Sequence, residues 1–175
     1  MSHPTPSAEA RVDRAWRLLD AVPDPEVPAV SVCDLGIVRD IHHDGEVLVV
    51  VLTPTYSGCP ATEVIEASVI KALEDAGMAP VRTITRRSPA WTTDWISQKG
   101  REQLRAYGIA PPCTEAGPTE RTVRFFPREA VLAQPACPRC GSSNTERVSQ
   151  FGSTACKALH RCLACREPFE YFKPI

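Results

Sequence analysis

The sequence predicts an α/β protein: a small α-β-β-α-β two-layer domain with one mixed sheet, followed by a three-stranded C-terminal ribbon. Three observations predict it. An Asp44-Gly45 pair stands between two apolar runs, as in a β-hairpin. A helical pattern opens at Pro60, soon after the second run, and carries to Ala76. Two Cys-x2-Cys pairs, Cys137/Cys140 and Cys162/Cys165, bracket alternating segments near the C-terminus.

At 175 residues the chain has room for one domain or two small ones. A hydrophobic share of 43% and a charged share of 23% are ordinary for a globular protein. Seventeen prolines fall mainly between Pro4 and Pro28 and between Pro80 and Pro138, which suits ordered loops and a linker rather than long helices. The expected division is 1–112 for the α/β domain with a Trp-containing extension, 113–134 for a linker and 135–175 for the ribbon. A formal net charge of −1 gives the whole chain no electrostatic footprint for nucleic acid. No run approaches the ~20 apolar residues that span a bilayer. The opening MSHPTPSAEARVD has neither the basic nor the apolar region of a secretory signal. The expected location is therefore the cytoplasm, where eight cysteines favour metal or redox chemistry over disulfides.

Residues 1–6 read as a mobile tail. A helix follows, capped by Ser7, with Glu9 in its first turn and Val12, Trp16, Leu19 and Val22 on one face; Pro23 stops it. DPEVPAVSVCDLG, 24–36, reads as an ordered loop running into a half-buried segment in which Cys33 packs. Asp24 and Glu26 either face the loop that follows the hairpin, as hydrogen-bond acceptors or metal ligands, or else Asp24 caps a turn and Glu26 is solvated. The hairpin spans 36–53, with His42 and His43 exposed beside its turn. Its second strand, Val47 to Leu52, is apolar without a break, as in a central strand covered on both faces. The helix from Pro60 to Ala76 has Val64, Ile65, Val69, Ala72 and Leu73 as its apolar stripe and Gly77 as its stop. PVRTITRR, 80–87, alternates and reads as the third strand. In the stretch 88–112, Ser97 can cap a short helix that ends near Tyr107, with Gly108 past its end. Trp91 and Trp95 either anchor that stretch to the core or form a partner surface, where Trp is enriched. RTVRFFPREAV, 121–131, reads as a strand beside the ribbon.

Between the second strand and the second helix lies TPTYSGCPATEV, 53–64. Pro60 suits the first helical position, because its missing N–H would be an orphan there. Cys59 then falls at or next to the N-cap, facing unpaired N–H groups and the positive end of the helix dipole. A thiol so placed has its pKa lowered. Two readings of Cys59 stand side by side: a reactive or metal-binding thiol, or a buried cysteine that packs as a small hydrophobe.

The two Cys-x2-Cys pairs carry the strongest chemistry. Each pair places two thiolates on one side of a knuckle, and two facing knuckles close a tetrahedral four-sulfur site that suits Zn²⁺. TERVSQF, KALHRC and EPFEYFK supply three strands, making a zinc ribbon with Cys137, Cys140, Cys162 and Cys165 as ligands. Four protein ligands leave no open position, so the zinc is structural. The alternative occupant is an iron–sulfur cluster, which also takes four thiolates. From 136 to 175 there are six Lys/Arg and three Asp/Glu, a formal +3, and four thiolates around one Zn²⁺ add −2, so the residual of about +1 makes the ribbon a poor phosphate binder. His160 reads as a strand residue. Cys156, at the tip between ribbon strands, is a spare thiol for metal transfer or a packed or exposed cysteine. No Ser/His/Asp arrangement, phosphate loop, nucleotide fingerprint or open His-rich site points to an independent enzyme.

DPEVPAVSVCDLGIV together with TPTYSGCPATEVI resembles the small iron–sulfur assembly domain of SufT-type proteins. Asp24-Pro25-Glu26, Asp34-Leu35-Gly36 and Thr53-Pro54 through Gly58-Cys59-Pro60 carry that resemblance. The stretches 88–112 and FGSTACKALHRCLACREPFEYFKP resemble one branch, the PaaD family, encoded with phenylacetyl-CoA epoxidase. The resemblance implies an accessory protein, not an enzyme, in aerobic phenylacetate breakdown. It implies a maturation factor for the metal centres of a multicomponent di-iron oxygenase and its iron–sulfur flavin reductase. It also favours Cys59 as the reactive thiol, with Asp24 and Glu26 in the same site. One thiolate cannot complete the coordination of iron, so a homodimer or a cysteine of one of those partner subunits is expected to complete it.

Overall fold

The computed structural model describes residues 7–56, 58–113 and 134–174. The expected tail, the strand expected at 121–131 and most of the linker lie outside them. The chain divides into two compact units, Met1–Gln103 and Leu104–Pro174.

The first unit follows the predicted order. Helix α1, Ala8–Leu19, starts where the Ser7 hydroxyl accepts the N–H of Ala10 at 3.2 Å. Ala15, Leu19 and Val22 are buried, while Val12 and Trp16 sit at the half-buried margin. Strands β1, Val38–Asp44, and β2, Val47–Leu52, form the antiparallel hairpin. Asp44 pairs with Val47, so the turn residues are Gly45 and Glu46, one position later than expected. Gly45 has φ +60°, which fits a two-residue turn with glycine at its first central position. His42 and His43 are half-buried rather than exposed, and His42 Nδ1 lies 2.7 Å from Asp40.

Helix α2, Thr62–Asp75, carries the chain from β2 to β3, Val81–Thr85, which pairs parallel to β2. The sheet order β1-β2-β3 puts β2 in the middle, and all its residues after Val47 are buried. An unbroken apolar strand belongs there because a central strand covered on both faces has no solvated side. Helix α2 buries Ile65, Val69 and Leu73, spaced one turn apart. Val64, expected in the same stripe, is 52% exposed, because it lies one position off that face. Arg14 donates to the Ala76 carbonyl at 3.1 Å and Arg11 to that of Met78 at 3.4 Å, tying α1 to the end of α2.

Helix α3, Gln98–Tyr107, begins as predicted: the Ser97 hydroxyl accepts the N–H of Gly100 at 2.9 Å. Its end is also as predicted, with Gly108 at φ +96°. The unit boundary falls inside this helix, earlier than the expected division after 112. The two-residue strand β4, Ile109–Ala110, belongs to the second unit because it pairs with the last ribbon strand.

In the second unit β5, Thr145–Ser149, β6, Lys157–Cys162, and β7, Pro168–Phe172, are the three expected ribbon strands, and β4 adds a fourth along the free edge of β7. An open strand edge presents unpaired backbone groups, and two residues of upstream chain suffice to satisfy part of it. Its core gathers Ala110, Cys137, Cys162, Phe169 and Tyr171, with Cys113 packed against it. Among the described residues no helix is long and apolar enough to cross a membrane.

Candidate functional site

The four ribbon cysteines converge. Their sulfur atoms all lie within 4.8 Å of one another. Cys137 Sγ is 3.8 Å from Cys165 Sγ, and Cys140 Sγ is 3.5 Å from Cys162 Sγ. Bonds of about 2.3 Å to a central metal give tetrahedral edges of about 3.8 Å, so the spacing fits a metal with thiolate bonds of that length. The knuckle backbones explain the convergence. Gly141 N–H donates to the Cys137 carbonyl at 2.9 Å in the first knuckle. In the second, the Cys165 N–H points at Cys162 Sγ from 3.5 Å. Gly141 at φ +75° and Arg166 at φ +65° follow the last cysteine of each knuckle and turn the chain away in the same left-handed conformation.

Those N–H groups set the acidity. The amides of Cys165 and Ala164 draw the Cys162 thiol down to about 6. At Cys165 the N–H of Glu167 also favours the thiolate, but burial and the other three sulfurs win and push it up to about 12. A cluster of this kind ionises fully only around a cation, which couples its metal to its protons. The arrangement is a four-cysteine metal-binding site.

The other ribbon candidates fall outside it. His160 is buried against Phe169 and Tyr171, with ring centroids at 5.7 and 5.3 Å. Burial and the nearby Arg147 lower its pKa. Cys156, expected at a tip, is only 3% exposed, and its sulfur lies 3.0 Å from the Thr154 hydroxyl. It packs beneath the turn rather than offering a spare thiol.

The thiol of Cys59 is built differently. Helix α2 begins at Thr62 with Ala61 as its N-cap, so Cys59 stands two residues before the cap rather than on it. It closes a turn of its own: its N–H donates to the Tyr56 carbonyl at 3.2 Å, and its carbonyl receives the Thr62 N–H at 3.3 Å and hydroxyl at 2.9 Å. The sulfur is half-buried. The Ala61 N–H and the nearby Thr62 side chain favour the thiolate. Burial outweighs them, and the charges of Glu26 and Asp24 add to it, so the pKa is raised and not lowered as the helix-dipole argument predicts. The dipole effect fades within a turn, and Cys59 is outside the first turn.

Asp24 and Glu26 are therefore within electrostatic reach of Cys59. Asp24 also does what its turn-capping reading required. It is 5% exposed, and its Oδ1 accepts the N–H of Glu26 at 2.9 Å and of Val27 at 2.8 Å. Among the described residues only the four ribbon cysteines bring three or more ligand atoms together, so Asp24, Glu26 and Cys59 do not close on one ion within this chain. Cys33 is separate: burial first, then Asp20 and Asp34, drive its thiol up to about 12.

The Asp34-Leu35-Gly36 segment is gripped by residues 91–100 in the same unit. Trp91 is buried and donates its indole N–H to the Leu35 carbonyl at 2.9 Å. Trp95 lies against Gly36, where a Cβ would come within 2.6 Å of it, and Arg39 covers its ring at 3.6 Å. Both tryptophans thus anchor the stretch. Sequence reading missed Thr62 as a partner of the thiol turn and Asp34 as a hub. The signal for Asp34 was there: an acidic residue inside an apolar run, three residues after Ser31.

Comparison with known proteins bears on both sites. Residues 13–85 match the family described as iron-sulfur cluster assembly protein, and 126–173 the family described as PaaD zinc beta ribbon domain. An Escherichia coli (strain K12) protein named as the D subunit of 1,2-phenylacetyl-CoA epoxidase is 46% identical over 168 residues, covering 96% of each chain. Among solved structures, a domain of unknown function, DUF59, from Bacillus anthracis is 28% identical with a TM-score of 0.52, covering 55% of this chain and 93% of its own. A Mycobacterium tuberculosis protein described as associated with Fe-S complex assembly and repair is 37% identical, covers 62% of this chain and 94% of its own, and has a TM-score of 0.33.

Proposed function

The chain belongs to the PaaD family, that of the D subunit of phenylacetyl-CoA epoxidase, and on that premise we propose that it matures the metal centres, di-iron or iron–sulfur, of that multicomponent epoxidase in aerobic phenylacetate catabolism. An accessory role in iron–sulfur and metal handling, rather than catalysis, agrees with the assembly domain over 13–85. The observation that carries the finer reading is the setting of Cys59. Its half-buried sulfur has the Ala61 N–H at the start of α2 on it and lies within electrostatic reach of two carboxylates. Such a thiol is protonated at rest and gives up its proton when a cation arrives, since a cation reverses the effect of Glu26 and Asp24. Cys59 holds iron or an iron–sulfur cluster transiently, with Asp24 and Glu26 beside it. A second copy of the chain or a cysteine of the recipient completes the coordination. The recipients are the oxygenase subunits, the iron–sulfur flavin reductase, or both. The ribbon holds structural zinc on Cys137, Cys140, Cys162 and Cys165 and touches neither nucleic acid nor membrane. Eight free cysteines suit a reducing cytoplasm.

The test is co-production of the epoxidase subunits with wild-type chain or Cys59→Ser, followed by iron per oxygenase and per reductase and by epoxidation rate. Under-metallated partners with Cys59→Ser support the reading. Full metal content and full rate remove the transfer role.

A second reading is favoured by the failure of Asp24, Glu26 and Cys59 to close on one ion among the described residues. In it the chain is a non-catalytic component that binds the oxygenase and stabilises it. Cys59→Ser is then silent, whereas Cys137→Ala abolishes association.

A further inference from the structure

Strand β6 ends in the second knuckle at Cys162; at its other end, the turn from β5 carries Phe151 with 60% of its surface exposed. A single exposed aromatic side chain is ordinary on a protein surface. The turn beneath this one is not, because each residue from Gln150 to Ser153 is tied down. The Phe151 N–H donates to the Ser149 hydroxyl at 3.2 Å, and the Gly152 N–H to the Lys157 carbonyl at 2.8 Å. The Ser153 N–H donates to Glu170 Oε1 at 2.6 Å. The Gln150 carbonyl receives Lys173 Nζ at 3.4 Å, and the same ammonium lies 4.7 Å from the centroid of the Phe151 ring. Glu170 Oε2 in turn pairs at 2.9 Å with the ammonium of Lys157, which is buried.

A buried ion pair adds little stability over apolar residues of the same volume, because desolvation cancels much of the attraction. What it supplies here is position. Gly152 packs so closely that a Cβ would come within 2.6 Å of Glu170 Oε1. The ring is therefore presented in a fixed pose, and little freedom is left to lose on binding. Val148, the extra residue of a β-bulge against β6, adds a second apolar side chain at 56% exposure. Bulges re-aim side chains at sheet edges, and β5 is an edge strand among the described residues. Charge completes the surface. The ion pairs of this module are Lys157–Glu170 and Arg161–Glu146. They leave Lys173, over Phe151, and Arg147, next to Val148, without a carboxylate among the described residues.

We propose that this turn is the docking anchor of the ribbon, with Phe151 and Val148 entering an apolar pocket rimmed by carboxylates on a subunit of the epoxidase. A pre-set aromatic side chain inside a charged margin is the arrangement that concentrates binding energy at protein interfaces. Lys173 and Arg147 select the acidic rim. A second copy of the ribbon would set those same cations against each other, which disfavours it as the occupant. The inference rests on the reading that the chain serves that epoxidase; it names the surface that binds, not what Cys59 transfers.

The measurement is the dissociation constant of the full metal-loaded chain for the purified oxygenase and, separately, for the purified reductase, by biolayer interferometry over a range of salt. Wild-type chain is expected to bind one of them, more weakly as salt rises. Phe151→Ala raises the constant by about tenfold or more. Lys173→Gln and Arg147→Gln each raise it a few-fold and flatten the salt dependence. Roughly 16 Å of strand separates the turn from Cys162, so bound metal in these variants matches the wild type. Val148→Asp, which sets a carboxylate against the acidic rim, serves if Phe151→Ala fails to fold, and weakens binding at least as much as loss of either cation. The proposal is overturned by wild-type affinity in Phe151→Ala or Val148→Asp, by binding of the wild type to neither protein, or by self-association that Phe151→Ala abolishes. Cys59→Ser binds as the wild type does in this assay, so failure of the anchor and failure of metal transfer give different results.

Discussion

The two cysteine regions are opposites in construction. The ribbon brings four sulfurs within 4.8 Å of one another, with backbone N–H groups aimed at them, and its knuckle turns serve closure. The loop before α2 brings one sulfur into reach of two carboxylates and stops short of a closed ligand set. A closed set holds its metal permanently and stabilises a small module, whereas an incomplete one depends on something arriving from outside.

The sharpest way to break this contrast is to open the closed site. Cys137→Ala, or removal of metal with a strong chelator, is expected to unfold the 134–174 module, since a structural metal of this type contributes on the order of 10 kcal/mol or more. Limited proteolysis with metal analysis reads it directly. Retained protection without metal would move the stability to Phe169, Tyr171 and the β4–β7 pairing. The complementary change, Cys59→Ser, is expected to stay within about 1 kcal/mol of wild type in thermal unfolding. A larger loss would turn Cys59 into a packing residue and erase the distinction.

Two finer changes probe the acidic side of the open site. Asp24→Asn is expected to cost about 1 kcal/mol in thermal unfolding, because a charged acceptor of two backbone N–H groups becomes a neutral one. Glu26→Gln carries no such cap. The thiol is raised above its ordinary value, so at pH near 8 less of it is thiolate than in a free cysteine. Removing the Glu26 charge lowers that pKa and speeds alkylation at fixed pH by a few-fold. An unchanged rate would remove Glu26 from the electrostatics of the site. The smallest effect is expected in the second knuckle, where Arg166→Gly should raise stability by up to about 1 kcal/mol, since glycine takes φ +65° without the Cβ clash. Thermal melts of the metal-loaded protein measure it.

Much of this was readable before any coordinates. The Cys-x2-Cys spacing named all four ligands, because the chelating turn is local. Ser7 and Ser97 as caps, Gly108 as a stop and β2 as a central strand were legible for the same reason: each depends on a few adjacent residues. The hairpin turn slipped by one residue because Asp44-Gly45 and Gly45-Glu46 both offer acceptable turn chemistry, and register across the strands chose between them. Val64 was misplaced because a helical stripe read from sequence is wider than the face that packs.

Residue types and short spacings were enough to establish a metal-binding ribbon, a mixed α/β unit and a lone cysteine ahead of a helix. Contacts between distant segments decided the rest: that Cys59 is held above its ordinary pKa by burial with Glu26 and Asp24, that Asp34 is tied to Ser97 and Lys99, and that Ile109–Ala110 extend the ribbon sheet. The reason is that desolvation and through-space charge depend on which chain segments fold back on one another, and local sequence does not encode that distance.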